Sequence, residues 1–262
     1  MLLSLKGKNA LVGGSSRGIG LAIARQLAES GASVTIMARS EDTLKNIVDQ
    51  LSRNLDEQSH QYLVVDFSNF EDYKKIIEEY FNTQKVDILV NNTQGPAAGT
   101  PMEKGIADYQ QAFDVLFKSV VYTTKLALAH MKTKKWGRII NVASVSVKEP
   151  LSYLVLSNTI RAAVVAWAKS LATEVGPYNI TVNSILTGYF DTERLSELNQ
   201  KKAEQQKIPV SEVKDHMQEL VPLKRLGKPV EYGYLVAFLS SEQAAYITGA
   251  NIPIDGGLLR SI

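Results

Sequence analysis

Three observations predict an α/β domain built on a doubly wound parallel sheet with helices on both faces. Short apolar runs of strand length alternate strictly with segments of helical period along the 262 residues, the pattern of a sheet buried on both sides. A glycine-rich turn, Val12-Gly13-Gly14-Ser15-Ser16-Arg17-Gly18-Ile19-Gly20, joins the first run to the first helix. The runs end in small or polar residues, Gly13, Arg39, Asp66, Asn91, Ser144 and Thr187. In an open parallel sheet such ends gather in one cleft near the switch in strand order.

The elements follow in order. Asn9-Ala10-Leu11-Val12 is the first strand, and Ile19, Ala22, Ile23 and Leu27 give the next segment a helical stripe that ends at Ser30-Gly31. Ser33-Val34-Thr35-Ile36-Met37-Ala38 is the second strand, followed by a helix over 41–54. Tyr62-Leu63-Val64-Val65 leads to a helix over 71–81, and Asp87-Ile88-Leu89-Val90 is the fourth strand. One long helix is expected over 108–132, then a fifth strand, Arg138-Ile139-Ile140-Asn141-Val142. Val164, Ala168, Leu171, Ala172 and Val175 mark an amphipathic helix that Gly176-Pro177 stops. A strand over 180–185, a polar helical excursion over 191–220, a helix near 230–239 and a last strand, Asn251-Ile252-Pro253-Ile254, complete a single domain spanning 1–262.

Bulk composition excludes several classes. The chain is long enough for one large core, and 45% hydrophobic with 21% charged residues is ordinary globular composition. A formal charge of +2 gives no argument for nucleic acid or an acidic membrane surface. With no cysteine there is no disulfide, thiolate nucleophile or cysteine metal site. The opening Met1-Leu2-Leu3-Ser4-Leu5-Lys6 turns basic too soon for a signal peptide, and no apolar run reaches the ~18 residues of a membrane span. A cytoplasmic location is the expectation. His60, His130 and His216 have no metal-site spacing.

A glycine-rich turn between a strand and a helix directs backbone N–H groups and a helix N-terminus at a phosphate. The context favours a dinucleotide site at Gly14, Ser16, Arg17, Gly18, Ile19 and Gly20 over a mere connection. A carboxylate at the end of the second strand would repel a 2′-phosphate, and none is there. Arg39 in that position and Arg17 in the turn favour NADP over NAD, against the alternative of two solvated arginines. Asp66, followed by Phe67, is placed either to accept from an adenine amino group or to cap the next helix.

Over nearly its whole length the chain resembles the short-chain dehydrogenase/reductase family, and its 3-oxoacyl reductases in particular. Gly14-Ser15-Ser16-Arg17-Gly18-Ile19-Gly20 is similar to the family's TGxxxGIG turn, with Gly13 where threonine is usual. Asn91-Asn92-Thr93-Gln94 resembles its NNAG segment, and Asn141-Val142-Ala143-Ser144 the strand carrying the catalytic serine. Val182-Asn183-Ser184-Ile185-Leu186-Thr187-Gly188 resembles VNxIxPG, with Thr187 in place of proline. Arg225-Leu226-Gly227, Ile247-Thr248-Gly249 and Asp255-Gly256-Gly257 resemble the C-terminal signatures. The resemblance implies a Rossmann fold, NADPH held also by Asn92, Arg161, Thr187 and Gly188, reduction of a carbonyl substrate, and a homodimer or homotetramer.

The catalytic motif departs from the family. Where relatives carry Tyr-x-x-x-Lys, alignment on Arg161-Ala162-Ala163 puts Ser157 at the tyrosine and Arg161 at the lysine, and the helical asparagine maps to Leu116. Ser144 alone matches. Tyrosine acts there as the proton donor, its pKa of ~10 lowered by the lysine ammonium. Serine is a far weaker acid, and arginine holds charge without relaying a proton. Tyr153 is a second candidate, because related enoyl reductases place their tyrosine further ahead of the lysine; it approaches Ser144 only if its loop folds inward, and otherwise packs or lies at the surface.

The excursion, about 189–221 with its flanks, falls where the family places a substrate lid. Glu193, Arg194, Glu197, Lys201, Lys202, Glu204, Lys207 and Lys214 give it the mixed charge of solvated helices. Tyr189, Phe190 and Met217 supply either an apolar pocket wall or core packing. Four readings stay open: an NADPH-dependent carbonyl reductase, an enoyl-type reductase using Tyr153, a catalytically impaired nucleotide-binding sensor or scaffold, and a structural partner that binds no cofactor.

Overall fold

Seven strands form one parallel sheet in the computed structural model, which describes residues 3–55 and 57–261; Met1, Leu2, Asp56 and Ile262 lie outside the described residues. The strands are β1 (Asn9–Val12), β2 (Ser33–Ala38), β3 (Gln61–Val64), β4 (Ile88–Asn91), β5 (Gly137–Val142), β6 (Ile180–Thr187) and β7 (Asn251–Ile254). Between them lie α1 (Gly18–Glu29), α2 (Glu41–Gln50), α3 (Phe70–Thr83), α4 (Ile106–Phe113), α5 (Ser119–Lys134), α6 (Val155–Val175), α7 (Glu193–Gln206), α8 (Val210–Leu220) and α9 (Pro229–Ser240). The order is β3-β2-β1-β4-β5-β6-β7, every pair parallel, so the direction of winding reverses between β1 and β4.

The two faces are separate cores. Successive strand residues point to opposite sides, so Val12 packs with Ile23, Leu27, Ile36, Tyr232 and Val236 under α1 and α9. Leu11 packs with Ile77, Leu89, Ile139, Leu171 and Val182 under α3, α5 and α6.

Several elements differ from the sequence expectations. The helix expected over 41–54 stops at Gln50, because Leu51 turns to an extended conformation (φ −67°, ψ 139°). The sixth strand runs on to Thr187, which stays in register with Ile254 of β7. The long helix expected over 108–132 is α4 and α5 joined by a π-helical turn, Asp114–Lys118, and such turns cluster at functional sites. The excursion is two helices, broken where Lys207 takes a left-handed conformation (φ 55°) ahead of Pro209.

The N-terminal ends of the central strands are tied by Asp87, whose side chain is 1% exposed. Its carboxylate accepts from Asn9 N (3.0 Å) and Lys134 Nζ (2.6 Å) and lies 3.2 Å from His130 Nε2. Asp87→Asn is expected to lower the unfolding free energy by about 1–3 kcal/mol in urea titrations, since it removes the charge that Lys134 and the backbone donor meet.

Toward the opposite ends, Glu231 of α9 accepts both Arg225 nitrogens (2.8 and 2.6 Å) and the Lys228 amide (2.6 Å), which holds its pKa down to about 2. The loop so fixed carries Gly227, whose backbone pairs with Tyr189 and Asp191 at the base of the excursion. A lowered folded-state pKa stabilises the fold above the ordinary carboxylate range and is lost as pH falls. The stability gap between wild type and Glu231→Gln is therefore expected to be full above pH 4.5 and to close by pH 2 in acid titrations followed by circular dichroism.

Candidate active site

A cleft of about 590 Å³ opens at the carboxyl ends of the strands, across the β1/β4 switch point. Its floor is the glycine turn. A Cβ at Gly20 would lie 2.2 Å from the Gly14 carbonyl oxygen and one at Gly13 2.2 Å from that of Asn92, so the backbones meet where no side chain fits. Asn92 Nδ2 donates to the carbonyls of Gly13 and Gly14 (3.0 and 3.2 Å), and buried Ser15 bridges Val12 and Met37, donating to one and accepting from the other. The turn is thus clamped to β4 and β2. At the start of α1, Arg17 gives no side-chain cap and the first turn holds no acidic residue. Its free N–H groups and positive dipole end face the cleft, a fit for a pyrophosphate.

Toward β2 the cleft is lined by Ala38, Arg39, Ser40, Val65 and Phe67. Arg39 is exposed and makes no ion pair among the described residues. Asp66 does not line the cleft. Its carboxylate accepts from Ser68 N (2.9 Å) and Ser68 Oγ (2.7 Å), which lowers its pKa, and Asn69 is the residue that caps α3. The expected helix cap has thus moved three residues on, because Asp66 spends its oxygens on a turn.

At the other end Ser144, Ser157, Arg161, Thr187 and Gly188 line the same cleft. Ser144 lies two residues beyond β5 and caps the short turn Val145–Val147, accepting from Ser146 N (3.1 Å). α6 opens at Val155, so Ser157 and Arg161 sit one turn apart on one face. The half-buried Arg161 guanidinium donates to the Val142 carbonyl, and desolvation draws its pKa down. Thr187 Oγ1 lies 3.0 Å from the hydroxyl of Tyr232. Leu116 is 3% exposed and packed in the core, within the π-helical turn.

Tyr153 is not among the cleft-lining residues. Its loop is pinned to 99 by backbone hydrogen bonds, and its hydroxyl faces that of Tyr189. Burial, helped by Tyr189, pushes its pKa up to about 12, the wrong direction for a proton donor near neutrality. Of the apolar candidates, Phe190 lines the cleft and packs edge-on against Tyr232 at 5.4 Å, while Met217 is buried. His60 is a buried histidine whose Nδ1 accepts from Val34 N, and burial lowers its pKa. Among the described residues no cluster of His, Asp and Glu is placed to hold a metal.

The sequence reading missed two groups. Ser15 reads as a turn residue, and nothing local signals its role as a clamp. Thr192, Glu193, Arg194 and Glu197 line the cleft although the mixed charge of their segment reads as solvated. The four-residue spacing of Glu193 and Glu197 was the available signal, because it sets both carboxylates on one helix face.

A doubly wound sheet with a clamped glycine turn at its switch point defines a dinucleotide-cleft protein of the α/β class. Residues 14–259 match a family model described as enoyl-(acyl carrier protein) reductase. The chain is 32% identical over 259 residues to the 3-oxoacyl-[acyl-carrier-protein] reductase FabG of Aquifex aeolicus, covering 98% of this chain and 100% of the relative. It is 31% identical over 256 residues to the NADPH-dependent reductase BacG of Bacillus subtilis, covering 97% and 99%. Among solved structures, L-sorbose reductase from Gluconobacter frateurii, complexed with NADPH and L-sorbose, superposes with a TM-score of 0.92 at 30% identity over 100% of both chains. The chain belongs to the short-chain dehydrogenase/reductase family.

Proposed function

We propose that the chain is an NADPH-dependent oxidoreductase that reduces the carbonyl group of a 3-oxoacyl-like substrate, with Ser144, Ser157 and Arg161 as its catalytic residues. One observation carries this reading. These three side chains line a cleft continuous with the glycine turn and with Arg39.

Gly14, Ser16, Gly18, Ile19 and Gly20 would hold the pyrophosphate at the start of α1, and Asn92 would border it. Arg39 would meet the 2′-phosphate, with Phe67 beside the adenine, while Arg161, Thr187 and Gly188 would hold the nicotinamide end. NADPH held there would supply the hydride that a carbonyl carbon accepts. The hydroxyls of Ser144 and Ser157 donate hydrogen bonds to the carbonyl oxygen, and the Arg161 cation favours the negative charge that grows there. Ser157 passes a proton from water in the open cleft to that oxygen. Arginine holds its own proton too tightly to serve, so turnover is slow relative to a tyrosine enzyme. Tyr153 and Asp66 stand outside this scheme.

A second reading, a nucleotide-binding sensor or scaffold without redox chemistry, is favoured by one specific feature: the buried Leu116 in place of the relay asparagine. Equilibrium titration with NADPH, followed by NADPH oxidation against a 3-oxoacyl panel, separates the two. Saturable binding with slow substrate-dependent oxidation supports the reductase. Binding with no oxidation against any member supports the sensor, and no binding overturns both.

A cytoplasmic homodimer or homotetramer is part of the proposal. Among the described helices none is long and apolar enough to cross a membrane. Exposed Ile106 of α4 and Tyr234 of α9 offer apolar surface for association, which light scattering after gel filtration reads directly.

A further inference from the structure

Arg17 stands in the glycine turn, yet both of its terminal nitrogens are held by the excursion. Nη1 lies 2.7 Å from Glu193 Oε2 and Nη2 lies 3.0 Å from Glu197 Oε1. The two glutamates are one turn apart at the start of α7, so a single face of that helix carries both carboxylates to the turn. Arg194, between them in sequence, reaches the other wall: its Nη2 donates to the Pro96 carbonyl at 3.0 Å. Thr192 caps α7, accepting from Leu195 N at 3.2 Å, and its Cγ2 would be 3.4 Å from a Cβ at Gly18. The first turn of α7 therefore spans the cleft from the β1–α1 turn to the segment after β4. The ion pairs raise the affinity of Arg17 for its proton, with the Glu193 hydrogen bond the largest cause.

This geometry separates the two arginines that favour a phosphorylated cofactor. Arg39 is unpaired among the described residues, whereas Arg17 is already neutralised by two carboxylates that line the same cleft. A 2′-phosphate arriving there carries negative charge. It either takes Arg17 from Glu193 and Glu197, loosening the first turn of α7, or sits on Arg39 against the repulsion of both carboxylates. Either course costs NADPH more affinity than NADH, which shares the pyrophosphate but brings no 2′-phosphate to compete for Arg17.

We infer that Glu193 and Glu197 are specificity-determining residues: they compete with the 2′-phosphate for Arg17, and so tie the choice between NADPH and NADH to the position of α7. The inference rests on the reading that the cleft takes a nicotinamide dinucleotide. The arginine side chain is 52% exposed and the carboxylates 68% and 44%, so the effect is bounded by the modest strength of surface pairs.

The test is calorimetric titration with NADPH and with NADH of three proteins: wild type, Glu193→Gln/Glu197→Gln, and Glu204→Gln/Glu212→Gln. The last removes the same charge from the excursion without touching Arg17. The first double variant is expected to bind NADPH roughly three- to tenfold more tightly, with NADH changed by less than about twofold and the control pair like wild type. A second readout needs no ligand. Arg17→Ala is expected to speed amide hydrogen exchange over 192–200 in the free protein.

Equal shifts for both cofactors overturn the inference, as does an equal response of the control pair. Exchange over 192–200 that ignores Arg17→Ala does the same. If the wild type binds a dinucleotide and the glutamate variants keep its selectivity, the inference alone fails. If the wild type binds neither, the reading beneath it fails as well.

Discussion

Replacing Ser157 by tyrosine and Arg161 by lysine in one chain is expected to raise kcat for carbonyl reduction by roughly 10²- to 10⁴-fold, the usual contribution of a positioned general acid. The backbone for the pair is already present, since positions 157 and 161 lie one turn apart on α6 and both line the cleft. Ser157 is 9% exposed where it lines the cleft, so a tyrosine ring at 157 must be accommodated within the cleft's own volume. A lysine at 161 places an ammonium beside it, which lowers the phenol pKa and restores a group able to pass a proton. Each single variant is expected to gain less, because Ser157→Tyr leaves no relay and Arg161→Lys leaves no acid. Steady-state kinetics at saturating NADPH decide it, with thermal melts to verify folding. A rate unchanged by the double substitution would mean that Ser157 does not face the reacting carbonyl.

Arg39→Ala carries the second large effect. A charge-assisted phosphate contact contributes about 1.5–3 kcal/mol, so NADPH affinity is expected to fall roughly 10- to 100-fold while NADH affinity holds. Arg39→Lys is expected to recover only part of the loss, because an ammonium lacks the planar pair of donors. Paired titrations with the two cofactors provide the measurement. Equal losses for both would move the role of Arg39 from the phosphate to the adenosine or the loop.

Most of the fold was legible because its signals are local. Each strand is a short apolar run between turn residues, and the glycine turn announces the switch point. What failed to show were features set by tertiary context. The π-helical turn at Leu116 leaves no mark on hydrophobic period. The early stop of α2 follows from backbone geometry at Leu51, in a stretch whose composition suits a helix. The lining of the candidate site was legible wherever a residue ends or closely follows a strand or sits on α6: Ser144, Ser157, Arg161 and Thr187 line one cleft because the topology sends them there. It was illegible wherever a side chain had a choice of partner. Asp66 turned to Ser68, Tyr153 to Tyr189, and Arg17 to two glutamates across 176 and 180 residues of chain.

Under the proposed mechanism, serine and arginine rather than a displaced tyrosine carry the reduction. Single-turnover oxidation of bound NADPH by a 3-oxoacyl substrate tests it in wild type, Ser144→Ala, Ser157→Ala and Tyr153→Phe. Tyr153→Phe is expected to transfer hydride at the wild-type rate, while loss of either serine is expected to slow the step at least roughly tenfold. A Tyr153→Phe chain that binds NADPH normally and transfers no hydride would contradict it.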